Sequence, residues 1–292
     1  MSESGKSRSG IDLEHLRTWT GQVQTDDDLA SVRHARLMAA TVNRPDLTLA
    51  EGEPLPALWH WIYFLAGRPP AELGSDGHPA RGGFLPPVPL SNRMWAGGRV
   101  QFEAPIALGA AMQRRSQVLQ VNHRQGRSGD LVFVTVGHEI WVGEQRCISE
   151  EQDLVYKAPT PPGAGAAAEP PPAAGQFVQP FVPDATMLFR YSALTFNGHR
   201  IHYDLDYCRQ VEGYDNLVIH GPLSATLLAA LAVDAAAAKG GGTLRSFSYR
   251  GVRPAILGRP LTLNANTDAD GLSLWSALAD GQVAMSAQAN LG

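Results

Sequence analysis

Between Ala158 and Gln176 the chain reads APTPPGAGAAAEPPPAAGQ, and this break limits the fold more than any other feature of the sequence. Pro, Ala and Gly leave almost nothing to bury there, so the stretch reads as an extended or coil linker between two units. Residues 1–157 and 177–292 remain on either side, each long enough for a compact domain. Of 292 residues, 44% are hydrophobic and 18% charged, which supplies two ordinary cores and excludes a disordered chain. A net charge of -4 without a long basic run gives no footprint for nucleic acid. Cys147 and Cys208 stand in neither disulfide-framework nor zinc-ligand spacing, which fits a reducing cytoplasm, and Met1–Gly10 has no apolar export signal. The apolar runs are broken by charge or Pro short of a membrane span.

The second half shows its order more plainly. Thr186–Thr195, TMLFRYSALT, is rich in aromatic and β-favouring residues and reads as a strand. Pro222–Ala238 is strongly helix-forming, with Gly221 as N-cap, Pro222 at the first helical position and Lys239-Gly240-Gly241-Gly242 as the stop. Leu244–Arg250, Leu261–Asn266, Leu272–Leu278 and Val283–Leu291 then alternate as strands, two pairs of them joined by Asp-Gly turns. The pattern is α+β: one apolar helix wrapped by a curved antiparallel sheet. The first half repeats the plan less cleanly, with helices expected at Val32–Val42 and Leu58–Leu65. Its strands are expected at Arg99–Phe102, Ser116–Val121, Leu131–Trp141 and Cys147–Tyr156.

Three histidines fall between Asn197 and His220, where a polar loop precedes the N-terminus of the apolar helix. An imidazole at that place lies close to a helix end that stabilises negative charge. His202 can shuttle protons near neutral pH, and Gly221, without a side chain, lets its N–H approach a ligand oxygen. Arg250 and Arg253 leave a strand after the helix, where they serve either phosphate or carboxylate binding or a plain solvated surface. Trp59, Trp61, Tyr63 and Phe64 read as acyl lining or as ordinary core. Ser224 lies in no Gly-x-Ser-x-Gly elbow, and no nucleotide-binding glycine motif occurs.

The stretch Tyr191–Asp204 followed by His220-Gly221 resembles the hydratase 2 motif of MaoC-type enoyl-CoA hydratases and dehydratases. With Asn197-Gly198-His199-Arg200-Ile201-His202-Tyr203 it is most similar to the subgroup of mitochondrial 3-hydroxyacyl thioester dehydratase and mesaconyl-C4-CoA hydratase. That resemblance implies a double hot dog fold, with the motif in the second unit and a first, non-catalytic unit sheltering the substrate. It implies His202, Asn197 and Gly221 as catalytic residues, Asn197 standing where the family usually has Asp and His199 where it usually has Asn. His199, Arg200, Tyr203, His220, Arg250 and Arg253 become candidate substrate contacts. The implied activity is reversible hydration of a 2-enoyl-CoA, a small branched dicarboxylic one such as mesaconyl-C4-CoA or itaconyl-CoA being favoured. A hot dog thioesterase and a non-catalytic acyl-thioester binding module are the alternatives. No metal and no cofactor beyond the CoA of the substrate are expected, nor a membrane partner, and a homodimer is the assembly such a chain allows.

Overall fold

The computed structural model describes residues 10–126, 129–158, 169–268 and 271–292. Part of the expected linker (159–168), the first nine residues and parts of two expected turns (127–128 and 269–270) lie outside them. The first half runs through α1 (Leu13–Arg17), β1 (Val23–Leu29), α2 (Val32–Thr41), β2 (Asn92–Phe102), β3 (Ala111–Gly126), β4 (Gly129–Val142) and β5 (Gln145–Lys157). The second runs through β6 (Phe177–Phe181), α3 (Ala185–Thr195), α4 (Leu205–Tyr207), α5 (Gly221–Ala238), β7 (Leu244–Gly251), β8 (Leu261–Asp268), β9 (Gly271–Leu278) and β10 (Val283–Leu291).

The strands form one ten-stranded antiparallel sheet in the order β1-β3-β4-β5-β2-β7-β10-β9-β8-β6. Read inward from either end, each half places its strands in the same sequence, and the halves meet where β2 pairs with β7, from Gly97 opposite Arg250 to Gln101 opposite Ser246. This is the double hot dog. Of the expected linker, Gly175 and Gln176 donate to the Asn264 and Asn266 side chains, so its C-terminal end is tied to β8.

α5 is apolar over most of its surface, as befits a helix largely enclosed by a sheet, and only Val233, Asp234, Ala237 and Ala238 near its C-terminal end are exposed. Its length and composition would suffice to cross a bilayer, a reading the sequence expectation of short apolar runs had excluded. Here the sheet of the second half wraps it, and Leu223, Leu228 and Ala232 are fully buried. The helix starts one residue earlier than expected: His220 is the N-cap and Gly221 the first helical residue.

Three other expectations are corrected. Thr186–Thr195 is helix α3 and not a strand, because the Asp184 carboxylate caps it by accepting the Met187 N–H at 2.7 Å and Leu188, Tyr191 and Leu194 bury one helical face. Leu58–Leu65 holds only a single 3₁₀ turn, Trp59–Ile62, bounded by Leu58 and Phe64 in the left-handed region (φ 65° and 57°). The first half therefore has no helix matching α5: between Thr41 and Asn92 the described chain contains only that turn and another at Pro70–Glu72. Loops cover its sheet instead. Leu58, Trp59, Ile62 and Phe64 join the core around α5, while Ile11, Leu16, Val88 and Leu90 close a separate cluster over Val118, Val132, Val134 and Tyr156.

Candidate active site

The loop after α3 and the start of α5 converge on one cavity of about 430 Å³ at the seam between the halves. Phe196 ends α3 in the left-handed region (φ 47°), turning the chain sharply into Asn197. The Asn197 Oδ1 accepts the His199 N–H at 2.9 Å, a local turn that fixes the loop. His202 Nδ1 donates to the Val218 carbonyl at 2.7 Å, since a carbonyl can only accept, which leaves Nε2 as the basic nitrogen. Burial holds the His202 imidazole down to about 4, so it is neutral at pH 7.

His202 stacks on His220 with centroids 3.6 Å apart and meets His199 edge-on at 5.5 Å. His220 is fully buried, bonded to Ser192 Oγ at 2.8 Å, and lies beneath the cavity rather than on its wall. Burial also lowers His199 and His220, so the group carries no net positive charge at neutral pH. Gly221 lines the cavity, and as the first residue of α5 its N–H has no intrahelical partner and sits at the positive end of the helix. A Cβ there would stand 2.9 Å from Trp95 Cε3, so only glycine fits between the helix start and β2.

The expected arginines separate. Arg253 lines the cavity. Arg250 is exposed on β7 and does not line it. Arg200 is engaged elsewhere: its guanidinium bonds Asp204 Oδ2 at 2.7 and 3.0 Å and the Ser75 carbonyl at 3.2 Å, and it lies over the Tyr207 ring. Tyr203 is exposed and donates to the Gly198 carbonyl at 3.0 Å. Of the aromatic group Trp59, Trp61, Tyr63 and Phe64, all but Trp61 are core. Trp61 lines a second cavity, of about 870 Å³, and donates to the buried Glu150 carboxylate at 2.8 Å.

Sequence reasoning missed what the first half brings to the site. Arg93 and Trp95 on β2, and His78 from the loop before it, share the first cavity with His199, His202 and Gly221. Glu212 also lines it, its carboxyl pushed up by burial and held by Asn92 at 2.6 Å. The available signal for His78 was the glycine before it. Gly77 (φ 86°) packs so closely on the Gly198 carbonyl that no Cβ could be accommodated, and the Arg200 N–H donates to the Asp76 carbonyl at 2.9 Å.

A family model described as hydroxyacyl-thioester dehydratase type 2 matches residues 58–257. The chain is 42% identical over 275 residues, 94% of its length and 97% of the relative's, to a mesaconyl-C4-CoA hydratase of Chloroflexus aurantiacus. It is 27% identical over 234 residues to the mitochondrial hydroxyacyl-thioester dehydratase type 2 of Schizosaccharomyces pombe, covering 70% of this chain and 75% of that one. Among solved structures, a MaoC-like dehydratase from Phytophthora capsici superimposes with a TM-score of 0.73 at 13% identity, covering 97% and 98% of the two chains. A Mycobacterium tuberculosis protein described as having a double hot dog fold gives 0.59 at 14% identity, covering 93% and 96%.

Proposed function

The chain belongs to the hydroxyacyl-thioester dehydratase type 2 family and is a hydro-lyase, and from that premise we propose that it catalyses the reversible hydration of a branched dicarboxylic 2-enoyl-CoA of the mesaconyl-C4-CoA type. The observation that carries the chemistry is the pairing, on one cavity wall, of a neutral imidazole with a free Nε2 and an open helix N-terminus. In hydration, the water oxygen bonds to Cβ and one of its protons passes to His202 Nε2. The C=C π pair shifts to form an enolate on the thioester oxygen, which the Gly221 N–H and the α5 dipole receive. The imidazolium then returns its proton to Cα, and the site ends as it began. Asn197 cannot take a proton and acts through hydrogen bonds. No cofactor beyond CoA is needed in this cycle.

Two cations, Arg93 and Arg253, line the cavity beside Val218, Ile219 and Ala255. A carboxylate entering such a pocket needs a cation to offset its desolvation, which favours a dicarboxylic acyl group over a neutral one. Itaconyl-CoA fits the same argument as a second substrate.

Purified protein mixed with mesaconyl-C4-CoA should remove the conjugated enoyl absorbance while the thioester survives. Release of free thiol instead would make it a thioesterase. Arg93→Met or Arg253→Met should raise KM for the dicarboxylic substrate about tenfold or more while sparing crotonyl-CoA. Equal loss on both substrates would place carboxylate selection elsewhere.

A further inference from the structure

The loop that carries His78 is built into the seam. Gly77 and Gly198 face each other backbone to backbone, and a Cβ on Gly198 would stand 2.7 Å from the Gly77 carbonyl oxygen. Arg200 binds the loop twice, through its N–H to the Asp76 carbonyl and its guanidinium to Ser75. This contact sets the His78 ring 4.3 Å from the ring of His199, whose buried Nε2 has no hydrogen-bond partner. Behind His78, Asp76 accepts twice: Oδ1 from the His78 backbone N–H at 3.0 Å and Oδ2 from the ring Nδ1 at 3.2 Å. Burial raises the Asp76 carboxyl, but the His78 contacts pull it down further, so it is ionised.

We propose that the Asp76–His78 pair of the first half is the second water-binding base of the hydration site, in the place of the carboxylate that Asn197 does not supply. The inference rests on the reading of the cavity as the hydration site. With its Nδ1–H held by Asp76, His78, whose ring lines the cavity, keeps Nε2 as the nitrogen able to accept. The nucleophilic water is then gripped through both of its hydrogens: one goes to His202 Nε2 as the O–Cβ bond forms, and the other stays on oxygen, bonded to His78 Nε2, as the product hydroxyl. The proton on His202 passes to Cα, so atoms and charge balance. His78 touches the reacting water and is catalytic; Asp76 acts through it and is a positioning residue.

Asp76→Asn is the decisive variant. The His78 backbone N–H requires an acceptor, so the amide oxygen takes the Oδ1 position and the NH₂ faces the ring Nδ1. That forces the ring hydrogen onto Nε2 and abolishes the acceptor, in a side chain of unchanged size. Asp76→Asn and His78→Phe should each lower kcat about ten- to a hundredfold with KM within about twofold, and His78→Gln, whose amide oxygen can accept, should recover part of the loss. If Asp76→Asn keeps wild-type kcat while His202→Ala is inactive, the inference falls and the hydratase reading stands. If the wild-type protein fails to hydrate the enoyl-CoA, that reading falls instead. Asp76, His78 and His199 are also close enough to hold one metal ion. Loss of activity on chelation with recovery on adding zinc would therefore overturn the inference.

Discussion

The two halves of the chain weave their strands in the same order and differ in what they lay over them. The second half places α5, an apolar eighteen-residue helix, in the hollow of its sheet. The first half has no helix there, and the chain from Val42 to Ser91 fills the space with turns. The difference changes what each half can contribute. A helix supplies a rigid N-terminus and its unpaired N–H, and the second half uses it at Gly221. Loops can reach across the seam, and the first half extends Asp76-Gly77-His78 onto the Asn197-Gly198-His199 turn of its neighbour. Without that helix the first half is the complement of the second rather than its copy.

The comparison breaks most visibly if both halves turn out to carry chemistry of the same kind. His202→Ala should lower kcat by about two to four orders of magnitude with the fold intact. His60, the buried imidazole of the first half that pairs with Glu150 at 2.9 Å, should behave oppositely. His60→Ala leaves the Glu150 carboxylate without that partner and should cost about 3 kcal/mol of stability, read from urea midpoints, with little change in kcat. A His60 variant that is stable but inactive would show that the first half has its own active centre.

Acid sharpens the contrast by a smaller effect. Burial depresses His202, His78 and His138 to about 4, against 6.5 in the unfolded chain. Between those values the unfolded chain binds more protons than the folded one, so stability is complete above pH 6.5 and falls as pH drops toward 4. The loss should be about 1 kcal/mol per group by pH 5.5. A urea midpoint that is flat from pH 7 to 5 would mean that water reaches these rings. The smallest effect concerns the connection. A protease site placed within residues 159–168 and cut should leave the two fragments co-eluting and kcat within about twofold, because β2 and β7 hold the halves together. Separation of the fragments would show that the seam depends on the connection.

Local signals made the second half legible and left much of the first obscure. The run from Pro222 to Ala238 and the turns between strands carry their own geometry, so α5 and the last four strands could be placed from residues alone. α3 is hidden because Thr186, Phe189 and Tyr191 favour strands, and its one contrary sign is Asp184 at the N-cap. β6 contains Pro180 and β1 three aspartates, so neither looks like a strand until the sheet provides its neighbours. In the site, Gly221, His199 and His202 were visible because they are close in sequence. His78 and Arg93 lie more than a hundred residues away: the packing of Gly77 on Gly198 and the Arg200 bonds to Ser75 and Asp76 bring the His78 loop to them, and the pairing of β2 with β7 brings Arg93.

An open sheet also has two margins, and nothing in its hydrogen bonding tells it to stop at ten strands. β1 closes one margin with Asp26, Asp27 and Asp28 in succession, and β6 closes the other with Pro180, which has no N–H to offer. Two copies that approached margin to margin at β1 would bring like charges together, and at β6 they would find a missing donor. The features that hide these strands from a reading of the sequence are the ones that make each margin a poor template for a further strand.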